Sequence, residues 1–165
     1  MGVTVSTGIT TSVRLDKAEA ENERMRQVPM ETLLSGLLER LDDEDLAEVC
    51  DTLSWKFQDN GTEMLDTVRS WLDGDDIRRI EAALTINDGF LFRTREESET
   101  AFTKLVARLP QFRKRTEAIL QAWDARCRPK AVRDVVEGTW PISTAAQIYG
   151  VSEDRLRRWV EESPE

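Results

Sequence analysis

Residues 142–162 read ISTAAQIYGVSEDRLRRWVEE, a short helix, a tight turn and a second helix. Ala146 sits four positions before Gly150, where a small side chain lets the second helix pack close. Gly150 opens the turn, since a left-handed backbone costs glycine little. Val151 follows as an apolar plug. Ser152 is placed to cap the next helix, and Glu153 and Asp154 fall at the positive end of its dipole. Leu156, Trp159 and Val160 recur at i, i+3 and i+4, one buried stripe. That leaves Arg155, Arg157 and Arg158 on the outward side. The pattern is that of a helix-turn-helix, whose second helix usually enters the DNA major groove.

A supporting helix precedes it. Residues 128–137, RPKAVRDVVE, start at Pro129 and carry Val132, Val135 and Val136 at helical spacing, positioned to cover Ala146, Leu156 and Trp159. The linker Gly138-Thr139-Trp140-Pro141 is short, and Trp140 is expected to seal the side of the small core. Arg128, Lys130, Val132 and Val135, followed by Ala145, Ala146, Tyr149, Gly150, Val151, Ser152, Leu156 and Trp159, resemble the helix-turn-helix domains of insertion-element transposases and a related family of small bacterial regulators. The resemblance covers residues 128 to about 162 and no other part of the chain. It implies a DNA-binding unit over 128–165, with Ser152, Arg155, Arg157 and Arg158 on the reading helix and Arg128, Lys130 and Arg133 on the helix before it. Arginine to guanine or to phosphate is the chemistry such a face offers. The alternative for the arginines is a solvated charged face paired with Glu153 and Glu161. One departure stands out: Glu153 and Asp154 begin the reading helix, where such domains often place neutral or basic residues.

Upstream, apolar stripes at helical spacing recur with turn signals between them. Leu33, Leu34, Leu37, Leu38 and Leu41 form one face. Leu46, Val49, Cys50, Leu53 and Phe57 form the next, ended by Asn60-Gly61. Thr62 is placed to cap a helix bearing Met64, Leu65, Val68, Trp71 and Leu72. Ile77, Ile80, Ala83, Leu84 and Ile86 follow, ended by Asn87-Asp88-Gly89. After Phe90-Leu91-Phe92 and a polar stretch come Ala101, Phe102, Leu105, Val106 and Leu109, stopped by Pro110. Phe112, Ile119, Leu120, Trp123 and Cys127 then line a longer helix. The chain reads as all-α. Residues 29–127 form an acidic helical bundle, 128–165 a three-helix helix-turn-helix unit, and 1–28 a flexible N-terminal segment or an exposed helix that orders on a partner.

Charge divides the same way. The 165 residues carry a formal net charge of −9. Residues 1–101 hold 11 Lys+Arg against 23 Asp+Glu, and residues 102–165 hold 12 against 9. A DNA-binding face therefore belongs to the C-terminal part, with the acidic part held away from phosphates. There is no histidine, which excludes histidine triads and the commonest zinc sites. Asp42–Asp45 and Asp73–Asp76 lack the spacing of a calcium loop and read as turn and cap residues. No phosphate loop, nucleophile elbow or paired-carboxylate pattern is present, so no enzyme, metal or cofactor is expected. The two cysteines, Cys50 and Cys127, read as buried free thiols of a reducing, cytoplasmic setting. The N-terminus MGVTVSTGITTSVRLDK has no apolar core of a signal peptide, and no run reaches the roughly 20 apolar residues of a membrane span.

Two functions from different classes fit these features. One is a DNA-binding regulator of transcription or replication, or a phage packaging component, paired into a dimer through its acidic helices. Double-stranded DNA is then its partner, and the acidic module is open to a protein as well. The other is an acidic adaptor or inhibitor that binds a protein and not DNA.

Overall fold

The computed structural model describes residues 28–54, 56, 59, 61–86 and 91–163. The expected flexible segment lies outside the described residues except for Val28, as do Trp55, Phe57, Asn60, Asn87-Asp88-Gly89 and Phe90. The described chain is all-helical, with eight α-helices, one short 3-10 turn and no strand. It divides into two units, residues 1–40 and 41–165.

In the first unit, α1 spans Met30–Leu38 and buries Met30, Leu34 and Leu38, three positions four residues apart on one face. In the second unit, α2 (Asp43–Ser54), α3 (Thr62–Trp71) and α4 (Ile77–Ile86) pack mutually. The acidic turns supply their N-terminal caps. Asp42 accepts the N–H of Asp45 at 2.9 Å, and Asp76 accepts that of Arg78 at 3.0 Å. The cap of α3 differs from expectation. Gly61, with φ of 73°, occupies the cap position, and the Asp59 carboxylate accepts the N–H groups of Gly61 (3.0 Å) and Glu63 (2.8 Å), leaving Thr62 inside the helix. Two arginines tie distant segments together. Arg78 on α4 pairs with Asp43 at the start of α2 and donates to the Leu41 carbonyl at 3.0 Å. Arg108 donates to the carbonyls of Asp73 (2.8 Å) and Gly74 (3.1 Å), just past the end of α3, where the helix dipole favours a cation.

The remaining helices are α5 (Arg95–Arg108), a 3-10 turn (Pro110–Phe112), α6 (Arg113–Val136), α7 (Ile142–Tyr149) and α8 (Glu153–Glu161). Pro110 stops α5 and opens the 3-10 turn, as its fixed φ suits a first-turn position. Pro129 does not start a helix; it lies inside α6, which runs unbroken for 24 residues. A proline there removes its own hydrogen bond to the carbonyl four residues back and crowds that carbonyl with its ring. That carbonyl belongs to Ala125, and Ala125 and Pro129 are both exposed, so water can replace the lost donor. Packing of α6 against α5, α7 and α8 holds both halves of the helix in place.

Among the described residues no helix is long and apolar enough to cross a membrane. Cys50 is buried, and burial pushes its thiol up to about 11; Cys127 is only half-buried, contrary to the expectation of two buried thiols.

Two outcomes follow. Pro129→Ala should stabilise the protein by about 1–2 kcal/mol, because alanine restores the helical hydrogen bond at the cost of a freer unfolded chain, and urea unfolding measures it. In native protein near neutral pH, an alkylating reagent should modify Cys127 well before Cys50, read by mass spectrometry.

Candidate nucleic-acid interface

Three helical segments build the C-terminal unit: the last turns of α6, then α7 and α8. Their shared core is Ala131, Val132, Ala145, Ala146, Val151, Leu156 and Trp159, with Val135, Tyr149 and Val160 packed at its edge. Ala145 and Leu156 are fully buried, so the small residues on α7 do bring α8 close. The turn forms as its residues require. Gly150 ends α7 with φ of 61° and ψ of 43°, and Val151 N–H returns to the Ala146 carbonyl at 3.0 Å. Ser152 then caps α8, its hydroxyl accepting Arg155 N–H at 3.3 Å.

The side seal differs from expectation. Val136 and Trp140 are exposed, at 68% and 44%, so neither covers the core. Val136 falls on the outer face of α6, and the chain has already turned at Gly138 before Trp140. The edge is closed by Tyr149 instead, whose hydroxyl donates to Asp134 of α6 at 2.6 Å. That carboxylate acceptor, with burial beside it, raises the phenol above its ordinary value.

The turn is also docked on the body of its unit. The Gly150 carbonyl accepts the N–H of Arg95, the first residue of α5, at 2.7 Å. A Cβ at position 150 would lie 2.7 Å from the Arg93 carbonyl oxygen and 3.3 Å from Trp123 Cζ2. Glycine is thus needed twice, for the left-handed backbone and for this approach. The receiving segment is a capping box, Thr94-Arg95-Glu96-Glu97. Thr94 Oγ1 accepts Glu97 N–H at 3.2 Å, and the Glu97 carboxylate accepts Arg93 N–H at 3.0 Å. The indole N–H of Trp123, buried next to the turn, has no acceptor among the described residues.

Beside the turn lies a cluster of five charges. Arg95, only 7% exposed, makes a fork to Asp124 of α6 (2.9 and 3.2 Å) and pairs with Glu99. Arg155 of α8 reaches across to Glu96 at 2.9 Å and Glu99 at 2.8 Å. Two guanidiniums shared by three carboxylates, each charge facing its opposite, offset much of the cost of partial burial. Burial alone would raise Glu96, but hydrogen bonds from Arg155 and Ser152 prevail and hold it below its ordinary value.

This cluster overturns one placement. The sequence puts Arg155 on the outward side of α8, yet its side chain is only 16% exposed and turned toward α5. The other sequence-derived residues remain at the surface. Arg157 is exposed but paired within its helix to Glu153 (2.8 Å) and Asp154 (3.4 Å). Arg158 donates to the Asp154 carbonyl at 3.4 Å. Arg128 pairs with Glu162 at 3.0 Å. Lys130 and Arg133 are exposed on α6, with Asp134 3.8 Å from Arg133, and Ser152 is exposed at the start of α8. The outward side of α8 therefore presents Glu153, Asp154, Arg157, Arg158 and Glu161, in which carboxylates outnumber guanidiniums. Among the described residues no group of acidic or cysteine side chains is arranged to hold a metal ion. The chain matches no protein-family model, no curated protein and no solved structure.

Gly150→Ala should cost about 2 kcal/mol or more, from left-handed strain plus the clash with a backbone oxygen, measured as a shift in denaturation midpoint. Glu96→Gln tests the charge cluster through pH. A carboxylate depressed in the folded state contributes stability above its ordinary value and loses it as pH falls through the folded value. The stability gap between wild type and Glu96→Gln should therefore be widest above 4.5 and close as the pH falls below it.

Proposed function

We propose that this chain is a DNA-binding regulatory protein that acts by binding and not by catalysis. Its contact unit is α6–α7–α8, with α8 as the helix that enters the major groove. The observation that carries this is the locked turn at Gly150, which fixes α8 against α6 and α7 with Arg157 and Arg158 on the side away from the core. That is the layout in which a second helix is offered to a groove. The pairs Arg157 makes with Glu153 and Asp154 are exposed and short-range, so exchange for guanine or phosphate costs little. The acidic helices α2–α4 repel the duplex and suit self-association, a dimer spanning two half-sites being the simplest form. Transcription control, replication control and phage DNA packaging all use such parts. A reducing, cytoplasmic setting is part of this reading, from the two free cysteines.

A second reading has its own support. With Arg155 taken up by Glu96 and Glu99, the outward side of α8 is mixed in charge and slightly acidic. Such a face suits a basic protein partner better than a phosphate backbone, and the chain would then be an adaptor or inhibitor.

Selection from a pool of random duplexes at low and moderate salt separates the two. DNA reading by α8 requires enrichment of a defined sequence, and Arg157→Ala with Arg158→Ala should abolish it, since each arginine–base contact is worth about 1–3 kcal/mol. Selection without enrichment would leave the adaptor reading.

A further inference from the structure

The outer face of α6 carries a second charged surface. Arg126, Lys130 and Arg133 recur at i, i+4 and i+7, so they stand one above another on one side of the helix. All three are exposed. On the helical wheel they lie opposite Ala131, Val132 and Val135, the positions through which α6 holds α7 and α8. The stripe therefore points away from the helix-turn-helix core. Glu137, one turn beyond Arg133, ends it.

The stripe is poor in internal partners, as Arg113 and Lys114 at the start of the same helix are. The chain has 32 carboxylates against 23 basic side chains, and most of its described arginines have found one or two of those carboxylates. Arg78, Arg95, Arg128, Arg155 and Arg157 are all paired, within or between helices. Arg126 and Lys130 form no ion pair among the described residues, and Arg133 has only its chain neighbour Asp134 at 3.8 Å. In an acidic chain, three stacked basic residues, with Asp134 at 3.8 Å from Arg133 and Glu137 only at the far end, form a local positive field that an outside anion can use.

We propose that the stripe Arg126–Lys130–Arg133 holds the phosphate backbone of double-stranded DNA, independently of sequence and apart from α8. The stripe covers about 10 Å of helix, from seven residues at about 1.5 Å each. One strand of a duplex rises roughly 3.4 Å along its axis per phosphate, so three long basic side chains spread over that length can each reach a phosphate of a passing strand. Exposed single charges gain little against an ordinary protein surface. Against a polyanion they gain by releasing condensed counterions, which favours nucleic acid over an acidic protein. The proposal rests on the DNA-binding reading and deepens it, adding a backbone contact on α6 to the base reading by α8.

The test uses the full chain and a short duplex of random sequence, titrated by fluorescence anisotropy over a salt series. Wild type should bind at low salt. R126A/K130A/R133A should lower the slope of log affinity against log salt by about 2.7, three contacts at about 0.9 each. R126K/R133K, which keeps the charge, should retain the slope. All three positions are exposed, so circular dichroism and the thermal midpoint should not move. An unchanged slope in the alanine variant, or no binding by wild type at low salt, would overturn the proposal. So would loss of a copurifying acidic protein from that variant with duplex affinity intact. An unchanged slope in the alanine variant is distinguishable from failure of base reading by α8, which shows as no sequence enrichment by wild type, or as enrichment retained in R157A/R158A, with random-duplex binding intact.

Discussion

The C-terminal half depends on one hydrogen bond and the space around it. The Gly150 carbonyl accepts from Arg95 N–H at a point where no Cβ fits. That contact sets the turn, and the turn sets the angle between α7 and α8. It also brings Arg155 within reach of Glu96 and Glu99, so the charge cluster grows out of the same approach. A backbone bond of this kind is directional, and its two ends sit on helix termini that would otherwise leave a donor and an acceptor unpaired. The hydrogen bonds at Thr94 and Glu97 hold the donor segment in place.

Excess acid governs how the arginines are used. A chain with more carboxylates than cations tends to neutralise its own guanidiniums. Arg78 and Arg108 join distant segments of the second unit, Arg95 and Arg155 join α5, α6 and α8, and Arg157 is held inside its own helix. Basic residues on a helix surface are therefore a weaker sign of a nucleic-acid face here than in a basic protein. Whether each has a carboxylate partner says more than how many there are.

The sequence made much of this legible. Periodicity gave the all-α class and the residues of the α7–α8 core, because a stripe at i, i+3 and i+4 has one packing solution. Asp42 and Asp76 declared themselves as caps by preceding apolar runs. What escaped depended on contacts far along the chain. Arg155 looked outward because its own helix offers no partner on that side; Glu96 and Glu99 lie more than fifty positions away. Val136 and Trp140 looked buried because composition says aromatic and aliphatic, while geometry had already carried the chain past the core. Pro129 looked like a boundary because local rules disfavour it in a helix, and only packing on both flanks overrides them. The Thr94–Glu97 capping box was readable from its spacing and marks the segment that receives Gly150. The charge cluster had no local signature.

The continuity of α6 has a mechanical consequence. A recognition head on a flexible tether swivels, and its effective concentration at a second site depends on tether length. Here the rear helix of the α6–α7–α8 unit is itself α5's packing partner, a single helix some 36 Å long at about 1.5 Å per residue. The head has no free pivot. Any twist imposed near Arg113 is transmitted to Arg133, and any load taken up at α8 returns along the same shaft. Whatever the α7–α8 pair does, its position is fixed by the same helix that packs against α5.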